Sequence, residues 1–280
     1  MKIIDTHQHL IYPDHFRYSW CRGIAAFEGK PFRLEEYRVA ARGTGITETL
    51  FMEVDVDEPD LNAETDFFLR LANQPEAAIV GVLAAGRPES EKFPAYLESI
   101  LHPKLKGLRR VLHTQPDELS QTPLFVRNLA RLVQPGLTFD LCVLARQLPL
   151  AAKLVRQLPD VQFVLDHCGI PDIKGNGLDP WRQHIRELAQ FPNLACKISG
   201  VVAYGGSPPV NAKAIQPFVE HCLECFGWDR VMFGGDWPVC NLTSTLGRWV
   251  EMAKEIVRTE STERRQKFFA GNAERIYQLK

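Results

Sequence analysis

The 280-residue sequence predicts a single-domain α/β fold, a (β/α)8 or TIM barrel that takes in residues 1–280. Eight short apolar segments alternate with segments whose apolar residues recur at helical spacing, which is typical of parallel strands joined by helices. Some of these segments, such as 78–85, are apolar throughout, as expected for strands that are buried on both faces. The length is also close to the ~250 residues usual for one such barrel.

The first predicted strand opens the chain, where Ile3 and Ile4 lead into Asp5-Thr6-His7-Gln8-His9. The other seven are short runs rich in β-branched and aromatic residues, each bounded by turn residues. In chain order they are 49–56, 78–85, 105–112, 138–144, 161–167, 194–199 and 230–233. Eight strands are the number that closes a barrel of this kind.

Helices are predicted between the strands because apolar residues there recur three and four positions apart. In chain order they are 33–42, 60–73, 90–101, 122–133, 146–158, 180–190, 211–226 and 243–257. Two last helical segments, one reaching Phe269 and one over 272–279, are expected to pack outside the barrel. An open doubly wound sheet is the main alternative, but the sequence has no glycine-rich phosphate loop of the kind that such sheets usually carry.

The composition argues against several classes of partner. A formal net charge of −1 and a pI near 6.7 give no electrostatic reason to expect nucleic acid or anionic membrane. No apolar run approaches the ~18 residues of a membrane span, and the N-terminus lacks the pattern of a signal peptide. Seven scattered cysteines fit reduced thiols, so we expect a cytoplasmic protein. Cys222 and Cys225 share one face of a predicted helix and are interpreted as core residues.

Ionisable residues stand at the ends of most predicted strands, where catalytic residues of a barrel lie. They are His7 and His9, Glu53 and Asp55, Arg109 and His113, His167, Lys197, and Asp236. His7 and His9 are two residues apart, so their side chains share one face of the strand. Two such imidazoles can bind one divalent metal or hydrogen-bond to one substrate oxygen. This pattern predicts an enzyme.

Four motifs together resemble the amidohydrolase superfamily. They are His7-x-His9, Leu165-Asp166-His167-Cys168-Gly169, Ala195-Cys196-Lys197-Ile198-Ser199-Gly200, and Met232-Phe233-Gly234-Gly235-Asp236-Trp237-Pro238. More closely, they resemble its branch of sugar-lactone and 2-pyrone-4,6-dicarboxylate lactonases. The resemblance implies a (β/α)8 barrel that hydrolyses a cyclic ester, with Asp236 handling the proton of the water.

The resemblance leaves the metal open. Members rich in metal carry a histidine ligand after the fifth strand, whereas Thr138-Phe139-Asp140-Leu141 has none here. A binuclear centre is therefore not expected. Either one divalent metal such as zinc is held by His7, His9, His167 and Asp236, or the histidines polarise the carbonyl without metal.

For substrate, the sequence favours a sugar acid lactone such as an L-fucono- or L-rhamnono-lactone, because aromatic side chains suit stacking on a sugar ring. The predicted substrate-binding residues are Arg109, Lys197, Glu53, Trp20, Trp237 and Tyr204. A pyrone dicarboxylate lactonase and a zinc-dependent decarboxylase on the same barrel are the alternatives, and a non-catalytic binding protein is disfavoured by the histidine pair and Asp236. We expect a small-molecule lactone as partner, neither nucleic acid nor membrane, and leave a homodimer open.

Overall fold

The computed structural model describes residues 1–206 and 210–279. Within these residues eight parallel strands pair in the order β1 to β8. The strands are β1 Ile3–Gln8, β2 Ile46–Met52, β3 Ile79–Ala85, β4 Leu105–Val111, β5 Thr138–Cys142, β6 Phe163–Leu165, β7 Leu194–Ile198 and β8 Val231–Phe233. The prediction of one domain over 1–280 includes residues 207–209 and 280, which lie outside the described residues.

Helices connect successive strands, as the sequence predicts. They are α1 Leu34–Ala40, α2 Leu61–Ala72, α3 Phe93–Ser99, α4 Pro123–Leu129, α5 Leu148–Gln157, α6 Trp181–Leu188, α7 Ala212–Phe226 and α8 Leu246–Ile256, followed by α9 Thr262–Gln266 and α10 Asn272–Ile276. The strand–helix alternation confirms the predicted (β/α)8 barrel. In the described part of the chain, no helix has the length and apolar character needed to cross a membrane.

The two ends of the chain meet where β8 reaches β1. The backbone amide of Asp236 donates to the carbonyl of His7 at 2.8 Å, and that of His9 donates to the carbonyl of Trp237 at 2.9 Å. The Thr6 hydroxyl adds a bond of 2.6 Å to the carbonyl of Phe233. The barrel is therefore nearly closed, and its closing edge carries the histidine pair and Asp236.

The apolar core has two parts. Most buried residues pack between the outer face of the strands and the helices, and Cys222 on α7 is buried there as predicted, while Cys225 is half-buried. A smaller cluster fills the barrel interior with residues from several strands, among them Leu50, Met232 and Val164. Tyr277, after α10, belongs to this inner cluster, and its hydroxyl donates to Asp140 on β5 at 2.9 Å.

The end of the chain thus corrects one expectation. Only part of it packs outside the barrel, where Phe268 and Phe269 contact the ring of Phe233. Tyr277 instead reaches into the interior and is 1% exposed. Tyr277 contacts the charged pair of Asp140 and Lys197 in the barrel interior. Its hydroxyl donates to Asp140, and the centroid of its ring lies 5.4 Å from the ammonium of Lys197.

Several strand boundaries also differ from the prediction, and two of these differences bear on the polar residues at the strand ends. β2 ends at Met52, so that Glu53 and Asp55 follow the strand instead of lying within it. β6 ends at Leu165, because His167 and Cys168 adopt positive φ angles of 55° and 56°, which no strand accommodates. Both differences place polar residues in short turns at the carboxyl end of the barrel.

Candidate active site

Three histidines surround Asp236 at the carboxyl end of the barrel. The ring centroid of His7 lies 4.8 Å from that of His9 and 4.6 Å from that of His167. The Oδ1 atom of Asp236 is 3.5 Å from Nε2 of His9 and 3.7 Å from Nε2 of His7. The structure therefore brings together the four residues that the sequence predicts to be catalytic.

Left-handed backbone turns direct two of these side chains. Asp236 and His167 both have φ of 55°, a conformation that non-glycine residues rarely adopt and that costs of the order of 1–3 kcal/mol. At two positions the backbone comes so close to a side chain of the site that only glycine fits. A Cβ at Gly200 would overlap the ring of His167, and one at Gly235 would overlap the carboxylate of Asp5.

Asp5 fixes the turn that carries Asp236. Its Oδ1 atom accepts from the backbone amides of His7 at 2.9 Å and Gly235 at 2.6 Å, and its Oδ2 accepts from the hydroxyl of Tyr37 at 2.7 Å. Asp5 is fully buried, which raises the pKa of its carboxyl group. One side chain thus holds the end of β1 against the turn after β8.

Hydrogen bonds fix the orientation of the His9 and His167 imidazoles. Nδ1 of His9 lies 3.0 Å from the carbonyl of Met52, which can only accept, so Nδ1 is the donor and Nε2 is the nitrogen that faces Asp236. Nδ1 of His167 lies 2.9 Å from the hydroxyl of Ser199. Burial lowers the pKa of His7 well below its usual value and also lowers that of His167, so both rings are neutral near pH 7.

Arg109, near the end of β4, is a cation in contact with His7. Its Nη1 atom lies 3.3 Å from Nε2 of His7. Its Nε donates to Oε1 of Glu53 at 2.6 Å, and Nη2 donates to the Glu53 carbonyl at 2.7 Å. Burial by itself would lower the pKa of Arg109, but the negative charges of Glu53 and Asp166, together with the hydrogen bond to Glu53, raise it. Glu53 is therefore the partner of Arg109, and the structure does not place it in contact with the cavity, contrary to the predicted substrate-binding role.

Lys197 lies beneath the histidines and is fully buried. Its ammonium is 2.6 Å from Asp140 and 3.2 Å from Asp166, and these carboxylates raise its pKa although burial would lower it. Asp166 in turn lies 3.4 Å from Nδ1 of His7. The structure thus encloses the charge of Lys197 inside the barrel, away from the cavity where the predicted role in substrate binding would require it.

Sequence reasoning missed the importance of Asp140 and Asp166. A signal for the first was present, because Asp140 interrupts the apolar run of β5 just as Lys197 interrupts that of β7. Opposite charges in two otherwise apolar strands of one barrel indicate an interior ion pair.

A cavity of about 270 Å³ opens above the histidines. His9, His167, Asp236 and Arg109 contribute to its lining, together with the wall residues Trp20, Tyr204, Asp55, His113 and Thr114. The indole Nε1 of Trp20 donates to the carbonyl of Val54 at 2.8 Å, which fixes the ring at the cavity wall.

Trp237 is the exception among the predicted wall residues. It is 3% exposed, and its ring packs edge-on against Phe32 and Tyr37. Its neighbour Pro238 lines the cavity instead. The side chain of Trp237 points away because the left-handed turn at Asp236 directs the carboxylate, and not the next residue, toward the histidines.

The residues of the site fit one divalent metal. The donor atoms of His7, His9 and Asp236 all lie within 4.8 Å of one another, and so do those of His7, Asp166 and His167. The two imidazole–carboxylate separations, 3.5 and 3.7 Å, resemble the ~3.4 Å expected between neighbouring ligands of tetrahedral zinc. Oδ2 of Asp236 has no hydrogen-bond partner among the described residues although it is buried. The carbonyl that holds Nδ1 of His9 is also typical of a metal-bound histidine.

The sequence matches the amidohydrolase family over residues 4–279. The chain belongs to this family. Among its relatives is an L-fucono-1,5-lactonase from Burkholderia multivorans, which is 29% identical over 294 residues, covering 99% of this chain and 96% of the relative.

Two solved structures extend the comparison. An amidohydrolase from Burkholderia multivorans with bound zinc superposes with a TM-score of 0.90 at 26% identity, over all of both chains. A 5-carboxyvanillate decarboxylase from Sphingomonas paucimobilis has a TM-score of 0.69 at 16% identity, covering 100% of this chain and 99% of that one, and so shares the fold. The predicted membership of the amidohydrolase superfamily is confirmed.

Proposed function

We propose that this enzyme hydrolyses the ring ester of a neutral sugar acid lactone, such as an L-fucono- or L-rhamnono-lactone. One observation carries the proposal. The carboxylate of Asp236 faces the histidines at the base of a cavity in which Arg109, the one cation among the described lining residues, is already bound to Glu53. The L-fucono-1,5-lactonase relative supports the reaction class.

The charge of the cavity favours this substrate over the two alternatives. A pyrone dicarboxylate or an aromatic carboxylate needs cations that are free to bind its carboxylates. Arg109 is 4% exposed and paired with Glu53, while Lys197 is enclosed below. The described lining also adds carboxylates, Asp55 and Asp236, which would repel an anion. A neutral, hydroxyl-rich ring has no such conflict.

The side chains suit ester hydrolysis in two proton transfers. The carboxylate of Asp236 accepts a proton as water attacks the ring carbonyl, and the same proton then goes to the ring oxygen as the carbon–oxygen bond breaks. The product is the open-chain hydroxy acid. Asp236 is positioned for both transfers because its backbone is fixed between His7 and Asp5.

Stabilisation of the oxyanion needs hydrogen-bond donors or a positive group next to the ring carbonyl. Arg109 supplies a guanidinium next to His7, and His167 can donate from Nε2 when the Ser199 hydroxyl donates to its Nδ1. His7, His9 and Asp236, with His167 beside them, would hold a divalent metal, which when bound would polarise the carbonyl as a Lewis acid.

The proposal is tested by measuring turnover of three compounds by the purified enzyme. L-fucono-1,5-lactone, 2-pyrone-4,6-dicarboxylate and 5-carboxyvanillate represent the three candidate reactions, with hydrolysis followed by acid release and decarboxylation by CO₂ release. We expect kcat/KM for the sugar lactone to exceed that for the pyrone dicarboxylate at least tenfold, without CO₂ release. Preferential turnover of either carboxylated compound would contradict the proposal.

A further inference from the structure

Asp55 is a cavity residue that the proposed reaction does not use. It lies in the turn after β2 and lines the same cavity as Asp236 and Trp20. Its side chain is 31% exposed, so it is neither enclosed in the core nor free on the surface.

The turn that carries Asp55 is held in a strained conformation. Asp55 has φ of 48°, which is a left-handed conformation. Glycine adopts it freely, asparagine and aspartate adopt it less readily, and other residues rarely do. The carboxylate of Glu53 stabilises this turn, since its Oε2 accepts from the amide of Asp55 at 2.7 Å while its Oε1 binds Arg109 at 2.6 Å. Backbone strain of this kind is common at functional sites.

A structural role for Asp55 as the partner of Arg87 does not account for its position. The closest approach between these two side chains is 3.8 Å. Arg87 instead donates from Nε to Glu58 at 2.9 Å on its other side, and Glu58 is 70% exposed. The guanidinium is therefore already paired, and Asp55 keeps hydrogen-bonding capacity for the cavity.

We propose that Asp55 is a specificity-determining residue that binds hydroxyl groups of the substrate ring. The inference rests on the proposed lactonase function and names the feature of the substrate that the site recognises. An ionised carboxylate accepts two hydrogen bonds and so matches two neighbouring hydroxyl groups, whereas it repels a carboxylated ring. Trp20, at the same wall, offers an apolar face to the ring carbons.

The test compares two lactones of equal ring size in the full-length enzyme. L-fucono-1,5-lactone carries ring hydroxyls, and δ-valerolactone carries none. Asp55→Gly removes the carboxylate while tolerating the positive φ, and Asp55→Asn keeps the shape and part of the hydrogen bonding. Glu58→Gln is the matched control, because it removes the other carboxylate on Arg87 without touching the cavity.

We expect Asp55→Gly to lower kcat/KM for the hydroxylated lactone roughly 10- to 100-fold, mainly through KM, as for loss of a charge-assisted hydrogen bond. Turnover of δ-valerolactone is expected to stay within about twofold of wild type, Asp55→Asn to recover part of the loss, and Glu58→Gln to resemble wild type. An equal fall for both lactones, or no change for either, would overturn the assignment of Asp55. A wild-type enzyme that hydrolyses neither lactone would overturn the proposed function, and with it this assignment.

Discussion

The backbone amide of Asp236 donates a hydrogen bond of 2.8 Å to the carbonyl of His7, which joins the last strand of the barrel to the first. These residues are separated by nearly the whole chain, yet their side chains face each other, with Oδ1 of Asp236 3.7 Å from Nε2 of His7. Closing the barrel therefore also assembles the site. Any change that opens this edge is expected to disturb catalysis and stability together.

The buried pair of Arg109 and Glu53 gives a prediction about stability. Arg109→Met leaves the carboxylate of Glu53 buried without its ion-pair partner, and losing one partner of a buried pair costs about 3–5 kcal/mol. We expect the free energy of unfolding to fall by this amount in denaturant titrations. The matched control is Arg17→Met, because solvent screens the exposed pair of Arg17 with Asp60 and its loss should change stability little. Equal losses of unfolding free energy in the two variants would show that the buried pair stabilises the fold no more than the exposed pair.

Lys197 gives a second prediction, in the form of a double-mutant cycle. Lys197→Met should destabilise the fold by about 3–5 kcal/mol, because Asp140 and Asp166 lose their shared ammonium. Combining it with Asp140→Leu should recover part of this loss, since one uncompensated carboxylate is then gone. Chemical denaturation of the four proteins measures the coupling. Strictly additive effects would contradict a direct interaction.

The sequence predicts those features of the structure that depend on neighbouring residues in the chain. It does not predict those that depend on contacts formed only in the closed barrel. The alternation of apolar strands with helices is local, and it correctly predicts the eight strands and the polar residues at their ends. The same pattern predicts His7, His9, His167 and Asp236 as candidate site residues, because each follows an apolar run.

The pairing of interior charges was not predictable in the same way. Whether Lys197 points to substrate or to Asp140 depends on two strands that are not neighbours in the chain. The direction of Trp237 likewise depends on the left-handed turn at Asp236. Propensity and periodicity carry no information about such turns, which tertiary contacts stabilise.

The pH dependence of stability gives a third prediction, centred on His113. Burial, with contributions from His167 and Arg109, lowers its pKa from 6.5 to about 4 in the folded protein. Since the unfolded chain binds the proton first, stability should be complete above pH 6.5 and should fall as the pH drops toward about 4. The lowered pKa of His113 alone accounts for a loss of up to about 3 kcal/mol in the free energy of unfolding at acid pH.

His113→Asn should make the free energy of unfolding less dependent on pH in this window. The control is His15→Asn, because His15 is exposed and lies outside the cavity. Denaturant titrations at several pH values measure the slopes. If His113→Asn leaves the acid sensitivity unchanged, burial of this imidazole is not its source.

Metal binding gives a fourth prediction. We expect the purified, untagged protein to take up about one zinc ion per chain by elemental analysis, held by His7, His9 and Asp236. His9→Asn should lower zinc affinity by about 10- to 100-fold or more, since it removes a ligand nitrogen. His113→Asn is a suitable control, because His113 lines the cavity without belonging to the ligand set. Equal zinc affinity in wild type and His9→Asn would contradict this assignment of ligands.

The most direct test of the central claim is the turnover number of Asp236→Asn with L-fucono-1,5-lactone. The substitution keeps the backbone hydrogen bond to His7 and the size of the side chain, so the melting temperature should remain near that of wild type. Because the variant lacks the base that takes the proton of water, kcat should fall by at least about 100-fold. A kcat near the wild-type value in a properly folded variant would remove Asp236 from the mechanism and contradict the account.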